Sequence, residues 1–349
     1  MTLLAGDIGG TKTLLQIAAG PSQHTPLDVL YERNYSSADY PVFDELLADF
    51  LAAAQQAGVP KPTLACIAVA GPVMRDSQGD TLAKVTNLPW VLSTKRLAAQ
   101  FTFKQLRLMN DFQAVGYGLE ALTDDELLTL QRGEASPQPL PLPRVVIGAG
   151  TGLGQGLLLW RGDADSGYYD VLASEGGHCE FAPANAEQLD VAAFLLRQPG
   201  LTKQPGRVCV EDVLSGHGLV NLYYYFADRY PGQVNGAFTQ AMAERDAAAV
   251  VSEAALRAED PLAEHALDLF VAIYAGQAGN LALTCLALGG VFIAGGIAPK
   301  IRSRLDSALF LQAFQNKGPM TELMKKIPVK LVTNPQVGLK GALRVASRL

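Results

Sequence analysis

The chain has 349 residues, a formal net charge of -6, 18% charged residues and 49% hydrophobic ones. That length exceeds the usual reach of a single core, so two lobes with a cleft are expected, and the apolar share excludes a disordered chain. Lys and Arg are scattered, without the basic cluster that phosphate-backbone binding needs, so no nucleic-acid partner is expected.

No uninterrupted apolar run approaches the ~20 residues of a membrane span, and Asp7 interrupts the N-terminus too early for a signal-peptide core. The expectation is a cytoplasmic protein without a membrane partner. Cys66, Cys179, Cys209 and Cys285 are far apart and form no Cys-x-x-Cys pair, so they read as reduced, mostly buried thiols. His178 beside Cys179 would seed a metal site only if Cys209 folded nearby, and structural zinc normally takes four ligands in recognisable spacings.

Residues 2–8 are apolar except for Thr2 and Asp7, which predicts a buried strand running into Gly9-Gly10. Residues 14–18 continue as a second strand, with the turn at Asp7-Ile8-Gly9-Gly10-Thr11-Lys12. Residues 43–57 carry Phe43, Leu46, Leu47, Phe50, Leu51 and Ala54 at helical spacing and stop at Gly58. Residues 64–70 form a short apolar run closed by Gly71-Pro72, completing the strand-helix-strand order of an α/β lobe.

The proline-rich stretch from Pro137 to Pro143 reads as a surface loop before a strand at 144–147. Beyond it, 189–196, 219–230 and 261–288 have helical character, and 291–294 is a buried strand closed by Gly295-Gly296. His24 and His265 read as surface residues. The glycine-bearing segments 6–13 and 148–156 suggest a duplicated architecture, although the halves share too little sequence to count as a repeat.

Neither glycine segment is a standard nucleotide fingerprint. In the first, Thr11 stands where a P-loop needs the glycine before its lysine. In the second, Gly148-Ala149-Gly150-Thr151-Gly152-Leu153-Gly154 runs into the strand-like Leu157-Leu158-Leu159-Trp160, whereas a dinucleotide motif opens a helix. A glycine-rich tip between two strands still lets N–H groups converge on an anion, and a positive-φ nest is expected at Gly150. The competing reading of each tip is a plain tight hairpin.

The segments Gly6 to Thr11, Asn87-Leu88-Pro89-Trp90, Asn110-Asp111-Phe112, Gly148 to Gly154, Glu175-Gly176-Gly177-His178, Leu214 to Tyr223 and Gly289 to Ile297 occur in an order that resembles the bacterial glucokinases outside the ROK group. These belong to the actin, Hsp70 and hexokinase superfamily, and the resemblance spans essentially the whole chain. It implies an α/β fold of two ribonuclease-H-like lobes with an interlobe cleft, divided into 1–121 plus 331–349 and 122–330. It also implies ATP and Mg²⁺ as cofactors, glucose as substrate and a homodimer.

By the same resemblance, Asp7, Gly9, Gly10 and Thr11 belong to the first phosphate motif, with Asp7 on the Mg²⁺ side through water. Gly150, Thr151 and Gly152 belong to the second, and Gly295 and Gly296 to the adenosine-side turn. Lys12 departs from relatives that carry Asn there, and either approaches phosphate or is solvated. The cysteine-rich zinc motif of the ROK relatives is missing.

Phosphoryl transfer to a sugar needs an in-line hydroxyl, neutralised phosphate charge and a proton acceptor. Asp111 follows the apolar segment 106–110, so it is expected at a strand end as the base, with an N-cap role for Asn110-Asp111 as the competing reading. Asn110, Glu175, His178 and Glu211 have the polar chemistry that sugar hydroxyls require. The resemblance carries sugar contact onto these four, Asp111 and Asn87. The competing readings are a locally satisfied histidine for His178 and a solvated side chain for Glu211. Trp90 is expected near the cleft. Rival functions are a kinase-fold sugar sensor or regulator without turnover, a kinase for another hexose, and a chaperone or filament subunit of the superfamily.

Overall fold

The computed structural model describes residues 1–20, 27–134 and 141–349. His24 and residues 137–140 of the proline-rich stretch lie outside them. The chain forms two compact units, one of residues 1–123, 169–173 and 334–349, the other of 124–168 and 174–333. The division expected from the sequence leaves 169–173 with the second unit.

The first unit contains the strands β1 (Thr2–Ile8), β2 (Lys12–Ala19), β3 (Asp28–Ser36), β4 (Leu64–Val69), β5 (Val73–Arg75), β6 (Thr81–Lys84), β7 (Val91–Ser93) and β8 (Gln105–Asn110). Its main sheet has the order β3-β2-β1-β4-β8, and β5-β6-β7 make a separate small sheet. β1 pairs antiparallel with β2 but parallel with β4, and β4 pairs parallel with β8. Every residue of β4 is buried, as a central strand covered on both faces requires.

Helix Phe43–Gln56 buries Phe43, Leu46, Leu47, Phe50 and Ala54 in a core shared with Leu4, Ile8 and Ile67. The C-terminal helix Val337–Ala346 packs on β1 and β4 and crosses helix Asp111–Gly118 almost backbone to backbone. A Cβ on Gly341 would lie 1.9 Å from the Ala114 carbonyl oxygen, and one on Gly118 would lie 2.0 Å from that of Val337. Trp90 is a core residue 1% exposed, with Nε1 donating to the Tyr40 carbonyl at 3.1 Å and its ring tilted against Phe43.

The second unit contains β9 (Leu127–Gln131), β10 (Arg144–Ala149), β11 (Leu153–Arg161), β13 (Gly290–Ala294) and β14 (Val329–Val332), in the order β11-β10-β13-β14-β9; the central residues of β12 (Tyr168–Ser174) group with the first unit. β10 pairs antiparallel with β11 and parallel with β13. Helix Pro261–Cys285 is long and apolar enough to cross a membrane by length and composition, yet most of it is buried in this unit's core against helices Gly216–Arg229, Ala247–Arg257 and Ala308–Gln315. Of the four cysteines, Cys66 and Cys209 are buried, Cys285 is partly buried and Cys179 is exposed.

Candidate active site

Parallel register brings three chain segments of the first unit to one edge. Ile8 aligns with Val69, and Val69 aligns with Asn110, so the residues following β1, β4 and β8 leave the sheet side by side. Carboxyl ends of parallel strands are where α/β sheets collect ligand-binding residues. At this edge stand Gly9-Gly10-Thr11, Ala70-Gly71 and Asn110-Asp111.

The first glycine turn is held from within. The Gly9 N–H donates to the Lys12 carbonyl at 2.9 Å, and the Ser37 N–H donates to that of Thr11 at 3.0 Å. Ser37 Oγ also donates to the Gly9 carbonyl at 3.0 Å and lies 2.9 Å from Thr13 Oγ1. The N–H groups of Gly10 and Thr11 make no hydrogen bond within the described residues. Thr11 and Lys12 are exposed. A Cβ on Gly10 would meet the Thr86 carbonyl oxygen at 3.1 Å, so this turn abuts the segment carrying Asn87, which is itself exposed with φ of 64°.

Asn110 fulfils the capping alternative. Its Oδ1 accepts from the N–H groups of Phe112 at 2.9 Å and Gln113 at 3.3 Å, and its Nδ2 donates to the Gly71 carbonyl at 3.3 Å. That amide fixes the first turn of helix Asp111–Gly118. Asp111 is the first residue of this helix, partly buried, with Oδ1 accepting from the Phe112 N–H at 2.9 Å. Asp7 is the neighbouring carboxylate. Burial, and then the charge of Asp111, push its pKa from 3.8 up to about 6. A Cβ on Gly338 would lie 3.4 Å from Asp7 Oδ2, in ordinary van der Waals contact, so the C-terminal helix packs against this carboxylate.

The second unit repeats the turn design. The Gly150 N–H donates to the Gly152 carbonyl at 2.8 Å, leaving the N–H groups of Thr151 and Gly152 without an acceptor in the described residues. Gly150 is not in the left-handed region, contrary to the positive-φ expectation. The space where its Cβ would point is open, so no neighbouring atom of the protein requires glycine there. Gly148 aligns with Ala294 in the parallel ladder, which brings Gly295-Gly296 beside this turn. Gly295 does have a positive φ of 83°, and a Cβ there would lie 2.5 Å from the Ala149 carbonyl oxygen.

The sugar candidates of this unit fall into two classes. Glu175 and His178 are exposed at either end of a tight turn, with the His178 N–H donating to the Glu175 carbonyl at 3.0 Å. Glu211 is 5% exposed and therefore not the solvated side chain of the competing reading. Its Oε2 accepts from the Leu153 N–H at 2.7 Å, and Lys203 Nζ pairs with its Oε1. A Cβ on Gly152 would lie 2.6 Å from Glu211 Oε2, and one on Gly177 3.5 Å from it. One carboxylate thus braces the glycine turn and borders the Glu175–His178 turn.

Two groups that sequence reasoning missed support the turns. Ser37 pins the first. Tyr274 lies fully buried under the second, its hydroxyl accepting from the Ala149 N–H at 3.0 Å and within hydrogen-bond reach of the Ile147 and Ala294 carbonyls at 3.3 and 3.1 Å. Neither had a local signal, because a serine after a strand and a tyrosine in an apolar helix are commonplace.

The residues suit a magnesium nucleotide. Unused N–H groups at glycine turns are anion ligands. Among the described residues no group of three or more His, Cys, Asp or Glu could hold a metal ion. Mg²⁺ retains waters and phosphate oxygens and needs only one or two carboxylates, which Asp7 and its neighbour Asp111 offer.

The glucokinase family model matches residues 4–349. A glucokinase from a Nostoc species is 42% identical over 359 residues, spanning 99% of each chain. The crystal structure of a glucokinase from an Antarctic psychrotroph superposes with a TM-score of 0.81 at 30% identity, covering 100% of this chain and 99% of that one. The glucokinase from Balamuthia mandrillaris, solved in complex with glucose, has the same fold, with a TM-score of 0.75 at 24% identity over 100% of this chain and 94% of that one.

Proposed function

We propose, on the premise that this chain belongs to the glucokinase family and phosphorylates glucose with ATP, that it transfers the γ-phosphoryl group to the 6-hydroxyl with Asp111 as base. The observation that carries the assignment of roles is the pair of glycine turns, each with one N–H tied back across the turn and two left for an anion.

In this reading Gly10 and Thr11 of the first unit and Thr151 and Gly152 of the second donate to phosphate oxygens, and the Gly295-Gly296 turn serves the adenosine. Asp7 would hold Mg²⁺ through water, and the ion, when bound, would supply neutralising charge to the phosphates. Glu175, His178 and Glu211 bind sugar hydroxyls. Asn110 and Asn87 border the base, and Asn110 acts mainly by fixing the helix that Asp111 begins. Lys12, exposed beside the first turn, is an approach point for phosphate charge.

Asp111 orients the attacking hydroxyl and accepts its proton late, because a carboxylate is a weak base for an alcohol until charge leaves the γ-phosphate. The family resemblance also supports a homodimer in the cytoplasm, which light scattering and fractionation would test.

The deciding experiment is ADP release from ATP and Mg²⁺ across a hexose panel. Glucose-dependent release with glucose 6-phosphate as product is the expected result. Equal or faster turnover of mannose or fructose would reassign the substrate, and sugar binding without ADP release would favour a sensor.

A further inference from the structure

We infer that Lys203 is a displaceable guard on the sugar site, an ammonium that occupies Glu211 in the sugar-free enzyme and is exchanged for sugar hydroxyls on binding. The inference rests on the reading of Glu211 as a sugar ligand. Glu211 has two carboxylate oxygens, and each has a partner. Oε2 accepts from the Leu153 N–H and Oε1 is paired with Lys203 Nζ. The Glu211 side chain is only 7% exposed, so a hydroxyl reaching Oε1 competes with the ammonium for the little open approach that remains.

The two partners differ in what it costs to lose them. Leu153 N–H belongs to the strand that follows the glycine turn and cannot leave without unmaking that turn. Lys203 is on an exposed loop and its side chain is 50% exposed, so its head group can swing into water and be rehydrated.

The loop backbone meanwhile stays fixed. The Lys203 N–H donates to Asp212 Oδ1 at 3.1 Å, and Asn221 Nδ2 donates to the Leu201 carbonyl at 2.9 Å. Further along, Arg207 donates to the His178 carbonyl at 2.5 Å and pairs with Glu180. The loop that carries the guard is therefore tied to the turn that carries His178, and Lys203 returns to Glu211 when the sugar leaves.

An interaction made only in the sugar-free state is subtracted from sugar affinity. The guard also discriminates, since only a ligand able to satisfy a buried carboxylate can displace it.

The test is Lys203→Met and Lys203→Arg, with steady-state kinetics and glucose titration calorimetry on the full chain at two ionic strengths. Lys203→Met should lower the glucose KM and Kd by about 2- to 5-fold, the size of a partly exposed ion pair, with the effect on KM rather than on kcat. Lys203→Arg should keep the wild-type KM. Added salt should tighten glucose binding in the wild type and not in Lys203→Met. A glucose Kd unchanged or raised in Lys203→Met overturns the guard, as does an equal drop in both variants. A wild type that binds no glucose overturns both this inference and the sugar-site reading, and is distinguishable because the parent enzyme then gives no heat.

Discussion

Asp7 is buried beside Asp111, and burial first, with the Asp111 charge second, pushes the Asp7 carboxyl up to about 6. Because the folded value lies above the unfolded one, the native state binds more protons between about pH 4 and pH 6. The group's contribution to stability is fully present below that window and is lost as pH rises through it. Asp7→Asn should therefore stabilise the fold at pH 7.5 by an amount on the order of 3 kcal/mol, read as a higher melting temperature, and the advantage over wild type should vanish near pH 4. Turnover with Mg²⁺ and ATP should fall in the same variant. Identical melting curves for both proteins across that range would contradict a raised Asp7 carboxyl.

Asp111→Asn should abolish turnover while leaving glucose binding measurable. An amide oxygen can still accept from the Phe112 N–H, so the helix start is preserved and only the proton acceptor is lost. The expected fall in kcat is about 10²- to 10⁴-fold. Retention of a tenth of wild-type kcat, with calorimetry showing normal glucose binding, would remove Asp111 from its role.

The two glycines of the second turn should respond differently to alanine. Gly150→Ala points its methyl into open space, so melting should be unchanged while the KM for ATP rises. Gly152→Ala drives a methyl to 2.6 Å from Glu211 Oε2. It should cost about 1–3 kcal/mol of stability and raise the KM for glucose as well as ATP, because the displaced carboxylate serves both. Equal KM effects from the two variants would mean that the turn acts only in folding.

Gly341→Ala should damage catalysis from a distance. Its methyl would lie 1.9 Å from the Ala114 carbonyl oxygen and force the C-terminal helix away from the helix that Asp111 begins. We expect a loss of about 1–3 kcal/mol or more together with a fall in kcat larger than any change in the KM for ATP. Normal kcat in a folded variant would show that the crossing is not needed to aim Asp111.

Much of the fold could be read along the chain where local pattern and burial agree. The 43–57 periodicity became helix Phe43–Gln56, and the apolar runs at 2–8, 64–70 and 291–294 became β1, β4 and β13. β3 was not legible, since nearly all of its residues are exposed and an edge strand need not alternate. The C-terminal helix was equally quiet in the sequence. Its glycines at 338 and 341 weaken a helical reading, and the reason for Gly341 is apparent only against the Ala114 carbonyl.

Sequence alone determined the residue types of the site, because the chemistry of a glycine turn or a carboxylate is carried by the residue itself and the motif order identified the family. Tertiary structure decided what those residues are committed to. Parallel register set Gly9, Gly71 and Asn110 along one edge, Asn110 was drawn into capping, and Glu211 was paired with Lys203 eight positions earlier. Hydrogen-bond capacity is shared out among neighbours in space, and no spacing along the chain states who those neighbours are.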